Sequence, residues 1–141
     1  MAYEGVYNMT RREIREEIFK FLFEYELVKN DVDTRLEEII QEEKIRKEEH
    51  KEFLKSYVTK IIENESFLVE KIKNQLDGWT YERLGTVEKV LLKIAFYEIV
   101  IEKVGHEIAI NEVLELSKIY GDAKSKDFIN GILADFLKKE D

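Results

Sequence analysis

Apolar residues in this chain recur at three- and four-residue steps and seldom alternate, which predicts helices and scarcely any strand. Thr10-Arg11-Arg12-Glu13 has the form of a capping box, in which hydroxyl and carboxylate each satisfy an orphan N–H. It predicts a first helix running to about Leu27 and broken by Asn30-Asp31. A second helix is expected over TRLEEIIQEEKIRKEE and a third over KEFLKSYVTKIIEN. Ser66 is a candidate cap for a fourth, FLVEKIKNQL, ending at Asp77-Gly78. Thr86 is the candidate cap of a fifth, VEKVLLKIAFYEIVIEK, which stops at Gly105. A sixth, INEVLELSKIY, is closed by Gly121, and a seventh starts near Ser125.

The fifth helix stands apart. Val87, Val90, Leu91, Ile94 and Ile101 lie on one side, and Leu92, Phe96 and Ile99 on the other. A helix apolar nearly all round is a central, buried one. The expected fold is therefore all-α, about seven helices in two packed bundles. The first covers about residues 1–78 and the second, wrapped around the fifth helix, about 79–141. Glu98 falls on the apolar side of that helix. A buried carboxylate needs a partner, for which Arg83 or a helix N-terminus is the expectation.

Asn130-Gly131 tests the helical reading, because Asn-Gly is a strong hairpin-turn signal. Phe128, Ile132 and Phe136 follow at four-residue steps, as do Ile129, Leu133 and Leu137, so both rows run straight through the dipeptide. The expectation is a tolerated surface glycine within a helix.

Composition narrows the function. Hydrophobic residues make up 44% of 141 and charged residues 38%, as in a soluble globular protein. No stretch is apolar enough to span a membrane, and the N-terminus lacks a signal-peptide pattern, so a cytoplasmic location is expected. With no cysteine, disulfides and thiol chemistry are excluded. The triplets at Asn8 and Asn64 carry no glycosylation meaning without secretion. The net charge of -8 argues against a nucleic-acid binder unless a local basic patch exists.

No catalytic constellation is found. The two histidines, His50 in KEEHKE and His106 after Gly105, read as surface residues. Neither belongs to a metal or di-iron motif, and no phosphate-binding or calcium loop is present. The expectation is a non-enzyme without cofactor or metal.

The first helix carries two faces. Ile14, Ile18, Phe21, Leu22 and Tyr25 form a core stripe, while Arg12, Arg15, Phe19 and Phe23 lie roughly 120° away, with Arg11 just before them. One reading buries Phe19 and Phe23 under a neighbouring helix, with the arginines snorkelling over them. The other places the arginines on phosphates and an aromatic on an unpaired base, as in single-stranded RNA recognition. The pattern alone leaves both open. Before Arg11 the tail offers Tyr3 and Tyr7 but no lysine or arginine.

The segments WTYERLGTVEKVLLKIAFYEIV and AINEVLELSKIYGDAKSKDFINGILADFL resemble the NusB family of transcription antitermination factors, and TRREIREEIFKFLF is similar to its arginine-rich first helix. The resemblance covers almost the whole chain and is weaker from Asn30 to Gln75. It implies an all-helical fold of two subdomains. It also implies binding of boxA-type single-stranded RNA with NusE, a small-subunit ribosomal protein, in an RNA polymerase antitermination complex. By position it implies RNA contacts from Arg11, Arg12, Arg15, Phe23, Lys124, Lys126 and Phe128, and partner contacts from Phe19, Phe23 and Glu88. The chain departs from the family in lacking proline before the fifth helix and before Ile110-Asn111-Glu112. Its N-terminal arm is thin in basic residues, which implies weak RNA binding without NusE.

Two other classes fit parts of the pattern. One is a helical interaction module or homodimer burying Phe19 and Phe23, with no specific RNA binding. The other is a fragment of an RNA cytosine methyltransferase, whose leading helical domain is similar; it would require truncation.

Overall fold

A computed structural model describes residues 9–140; Tyr3, Tyr7 and Asn8 lie outside the described residues. Among these, seven α-helices occur: α1 Arg11–Val28, α2 Val32–Glu42, α3 Glu48–Glu63, α4 Glu65–Lys73, α5 Thr86–Phe96, α6 His106–Tyr120 and α7 Ala123–Glu140. A 3-10 turn, Tyr81–Arg83, precedes α5, and a π turn, Tyr97–Ile101, follows it. The all-α expectation holds. The chain divides into two compact units, one up to Glu63 and one from Asn64. This division differs from the expected one near residue 78 because α4 packs on α5 and so belongs with the second unit.

In the first unit, α1 opens on the expected capping box. Thr10 Oγ1 accepts from Glu13 N–H at 3.1 Å, and Thr10 N–H donates to Glu13 Oε1 at 2.8 Å. The stripe Ile14, Ile18, Phe21 and Leu22 is buried against α3, which contributes Phe53, Leu54, Tyr57, Val58 and Ile61. Tyr25 is only half-buried, its ring stacked on Phe21. Asp31 caps α2 through Thr34 N–H at 3.0 Å. Arg35 gathers Glu24 at 2.8 Å, Glu38 at 3.1 Å and Glu42 at 3.3 Å; the hydrogen bond to Glu24 is the main reason its guanidinium is held even more firmly charged than usual.

The second helix is shorter than the expected 34–49. It ends at Glu42, Lys44 turns the chain with φ 54°, and Ile45 drops into the core while its N–H reaches Ile40 O at 2.9 Å. The run after Ile40 has a single apolar residue, so burying Ile45 by a turn replaces a longer helix with nothing further to bury. The restart at Glu48 corrects the reading of His50 as a surface residue. His50, Phe53, Leu54, Tyr57, Val58 and Ile61 share the 3.6-residue stripe of α3, and His50 is buried with no hydrogen-bond partner for Nδ1 among the described residues.

In the second unit α5 is the central helix, as expected: every residue from Val90 to Phe96 is buried, and α4, α6 and α7 pack on it. Phe136 of α7 meets Phe96 edge to face at 4.9 Å. Lys93 is buried too and donates to Glu65 of α4 at 2.7 Å, a contact invisible in the periodicity.

Several further boundaries differ from expectation. Ser66 lies inside α4, and Thr86 is the first residue of α5, with Gly85 before it. After Phe96 the chain widens into the π turn, where Glu102 N–H reaches Tyr97 O at 3.0 Å. Lys103, with φ 59°, ends it, and α6 begins at once, so His106 is an exposed first-turn residue instead of a loop residue. Glu98 is wholly buried as expected, while Arg83 is exposed.

The Asn-Gly dipeptide is explained by α7. Ile129, Ile132, Leu133 and Phe136 are buried, whereas Asn130 and Gly131 face solvent. A Cβ on Gly131 would meet nothing within 4 Å. Burial of the flanking rows overrides the local turn preference.

Candidate nucleic-acid interface

The first candidate surface lies on α1, and it is only partly open. Arg11 and Arg12 are exposed, Phe23 is half-buried, and Arg15 and Phe19 are buried. The Phe19 and Phe23 rings meet at 5.9 Å. The second apolar row of α1 thus dips into the core at Phe19, which leaves that side chain no surface to offer a partner.

Two of the arginines meet a ring on α3. The guanidinium of Arg11 sits 4.4 Å, and that of Arg15 5.6 Å, from the ring centre of Phe53 on α3. Both stack on an aromatic face as cation–π partners, worth about 0.5–1 kcal/mol each near solvent. Phe53 in turn meets Tyr57 edge to face at 4.5 Å. The result is a platform of two guanidinium groups carried on a core ring, with exposed Arg12 next to it in sequence.

The second candidate surface lies wholly within the second unit. Trp79, Arg83, Leu84, Gly85, Glu88, Asp122, Lys124, Ser125 and Phe128 line an open cleft of about 310 Å³. Gly78, with φ 78°, turns the chain into Trp79, which is 59% exposed. Its ring meets Phe128 edge-on, 6.1 Å between centres and 65° between planes. Lys124 is exposed at the rim. Lys126 is exposed but is not among the lining residues.

The floor of this cleft is a hydrogen-bond network around Ser125. Asp122 Oδ1 accepts from Ser125 N–H at 2.8 Å and so caps α7. The Ser125 hydroxyl lies 2.5 Å from Glu88 Oε2 and 3.1 Å from Asp122 Oδ1. A hydroxyl has one hydrogen, so it cannot donate to both carboxylates at once. The backbone N–H and then the hydroxyl of Ser125 hold the Asp122 carboxyl below its usual pKa. Gly121 makes the close approach possible: a Cβ there would stand 2.8 Å from Ser125 Cβ and 3.1 Å from Ser117 O.

Of the residues expected from sequence, the structure brings Lys124, Phe128 and Glu88 into one cleft, although Glu88 was expected on a partner surface. Sequence reading missed Trp79, Arg83, Asp122 and Ser125 as lining residues. Among the described residues no group of His, Cys, Asp or Glu could hold a metal ion, and no helix is long and apolar enough to cross a membrane.

A model of the NusB family matches residues 12–138, nearly the full length of the chain. The chain belongs to the NusB family. A transcription antitermination protein NusB of Oceanobacillus iheyensis is 35% identical over 130 residues, 92% of this chain and 99% of that protein. The solved NusB of T. maritima superposes with a TM-score of 0.83 at 36% identity, covering 92% of each chain. A NusB solved with NusE and double-stranded RNA superposes with a TM-score of 0.83 at 24% identity, over 92% of this chain and 96% of that one, and shows the fold alone. NusB is a family of antitermination factors, and this NusB-family chain is no enzyme.

Proposed function

We propose that the chain acts in the cytoplasm as an adaptor that binds boxA-type single-stranded RNA together with NusE and joins an RNA polymerase antitermination complex. Family membership supports the general role, and a NusB of the same fold solved with NusE and double-stranded RNA makes NusE and RNA the partners to test. The observation that carries the RNA reading is the cleft, where exposed Lys124 stands beside the Trp79–Phe128 corner. Cation beside aromatic is the combination that unpaired nucleotides require, phosphate on one and base on the other.

Arg11 and Arg12 on α1, and Lys124, Lys126 and Phe128 in the second unit, are the proposed RNA contacts. Arg15, stacked on Phe53, holds the α1 platform in place. Phe23 is assigned to NusE. Glu88 shares the cleft with Lys124 and goes with the RNA side. The homodimer alternative loses one of its two residues, since Phe19 is already buried inside its own unit.

The test is binding of a boxA-type RNA and a scrambled control, with and without NusE, across a salt series. Specific binding that tightens with NusE is expected. Arg12→Ala and Lys124→Ala should each lower the salt slope by about 1, as the loss of one phosphate contact does. Equal binding of both RNAs in the presence of NusE would overturn the proposal.

A further inference from the structure

Trp79 is a large aromatic left mostly in water, outside any helix, and its ring meets Phe128 in an edge-to-face pair. It makes an aromatic corner with Phe128, and the rest of the cleft narrows what could fill that corner. Arg83 and Lys124 disfavour a cationic ligand such as a methylated ammonium. Glu88 and Asp122 disfavour a purely anionic one. A flat group with an anion at one end and N–H donors at the other satisfies all four charges.

The donor requirement follows from the network. Glu88 and Asp122 share one Ser125 hydroxyl hydrogen, and although Asp122 also takes the Ser125 N–H, the two carboxylates keep further lone pairs that face the open cleft. A ring that brings an amino N–H can fill them; a ring that brings a carbonyl at the same place meets repulsion from both carboxylates.

We infer that the cleft takes one unpaired ribonucleotide, with Trp79 as its stacking wall and the Glu88–Asp122 floor selecting bases that carry an exocyclic amino group. The inference rests on the RNA-binding reading above and adds to it a contact residue and a base class.

Trp79 is the single tryptophan of the chain, so it reports on itself. Fluorotryptophan is incorporated at that position, and its fluorine resonance is followed while oligocytidine or oligouridine is added in the presence of unlabelled NusE. Anisotropy of labelled oligonucleotides reads total binding in parallel. Cytosine and uracil share a ring shape and differ along one edge, a 4-amino group beside an N3 acceptor against a 4-carbonyl beside an N3–H, so the pair reads how that edge meets the floor. Oligocytidine should shift the resonance and bind several-fold tighter than oligouridine. Trp79→Ala should lose about tenfold in affinity, as expected for one stacked base, while Trp79→Phe keeps most of it. Glu88→Gln should narrow the preference for cytidine.

RNA bound by anisotropy with an unmoved resonance and an unaffected Trp79→Ala variant overturns the inference and leaves the adaptor reading standing. A shifted resonance with equal affinity for both oligonucleotides overturns the base selection. No binding of any RNA, boxA-type included, overturns both readings.

Discussion

On α1, Arg11 and Arg15 are stacked on a ring that is itself part of the core, and Phe19 beside them is sealed in. In the second unit, Trp79 and Phe128 line an open cleft and meet edge to face, with Trp79 still 59% exposed. Aromatic rings are thus used in opposite ways. In the first unit the aromatic rings stabilise the fold and hold guanidinium groups in position. In the second the aromatic rings are left open, and polar groups beneath them carry the structure. A surface built from the core is rigid but presents mainly charge; a surface built from exposed rings can read a base.

That contrast predicts a steep difference in cost. Phe53→Ala should destabilise the protein by about 3–5 kcal/mol in chemical denaturation, because it empties a core site and removes the ring under both arginines. Trp79→Ala should leave the denaturation midpoint nearly unchanged. A similar loss for both would remove the distinction between the two surfaces.

A smaller effect is expected from Gly121→Ala. The added Cβ collides with Ser125 and the Ser117 carbonyl, so about 1–3 kcal/mol should be lost along with the cleft floor. Gly131→Ala, in the same unit, should do the reverse and stabilise by about 1 kcal/mol, since the site is helical and open. Thermal melts of the two variants in parallel would separate a glycine required by packing from one merely tolerated.

The smallest effects concern acid, and they have opposite signs in two places. Asp122 is held below its ordinary pKa of 3.8 by Ser125, so its contribution is present above that pH and is lost as pH falls through the lower, folded value. Glu17 is raised above 4.5, chiefly by burial, with Glu43 adding to the rise and Lys20 opposing it. Its charged form is therefore a penalty at neutral pH, relieved as pH falls through the raised value. Glu17→Gln should raise the melting temperature more at neutral pH than in acid, and Asp122→Asn should lower it more at neutral pH than in strong acid. The same sign for both variants would contradict the burial of Glu17.

Much of the fold was legible. The capping box at Thr10 is a local pattern, and α5 announces itself because Val90 to Phe96 leave no polar side to face water. What escaped depends on tertiary choice. The break after Glu42 rests on Lys44, a residue with no turn preference, adopting a left-handed conformation so that Ile45 can be buried. His50 was hidden by its charged neighbours; only the spacing to Phe53 and Leu54 could have exposed it. The π turn inserts a residue without any marking type. In the site, Lys124 and Phe128 are near in sequence and were found together, but Trp79 reaches them only through packing. Its one available signal was a tryptophan placed just after Asp77-Gly78, outside every apolar stripe.

The solvent-facing Asn130-Gly131 in α7 also bears on chemical ageing. An asparagine followed by glycine loses its amide when the next backbone nitrogen attacks the side-chain carbonyl, a step that helical backbone geometry blocks. While α7 is intact the pair is protected; each time that helix opens, the reaction can proceed. Slow conversion of Asn130 to aspartate or isoaspartate, followed by mass spectrometry of stored protein, would therefore act as a clock for how often the last helix comes undone.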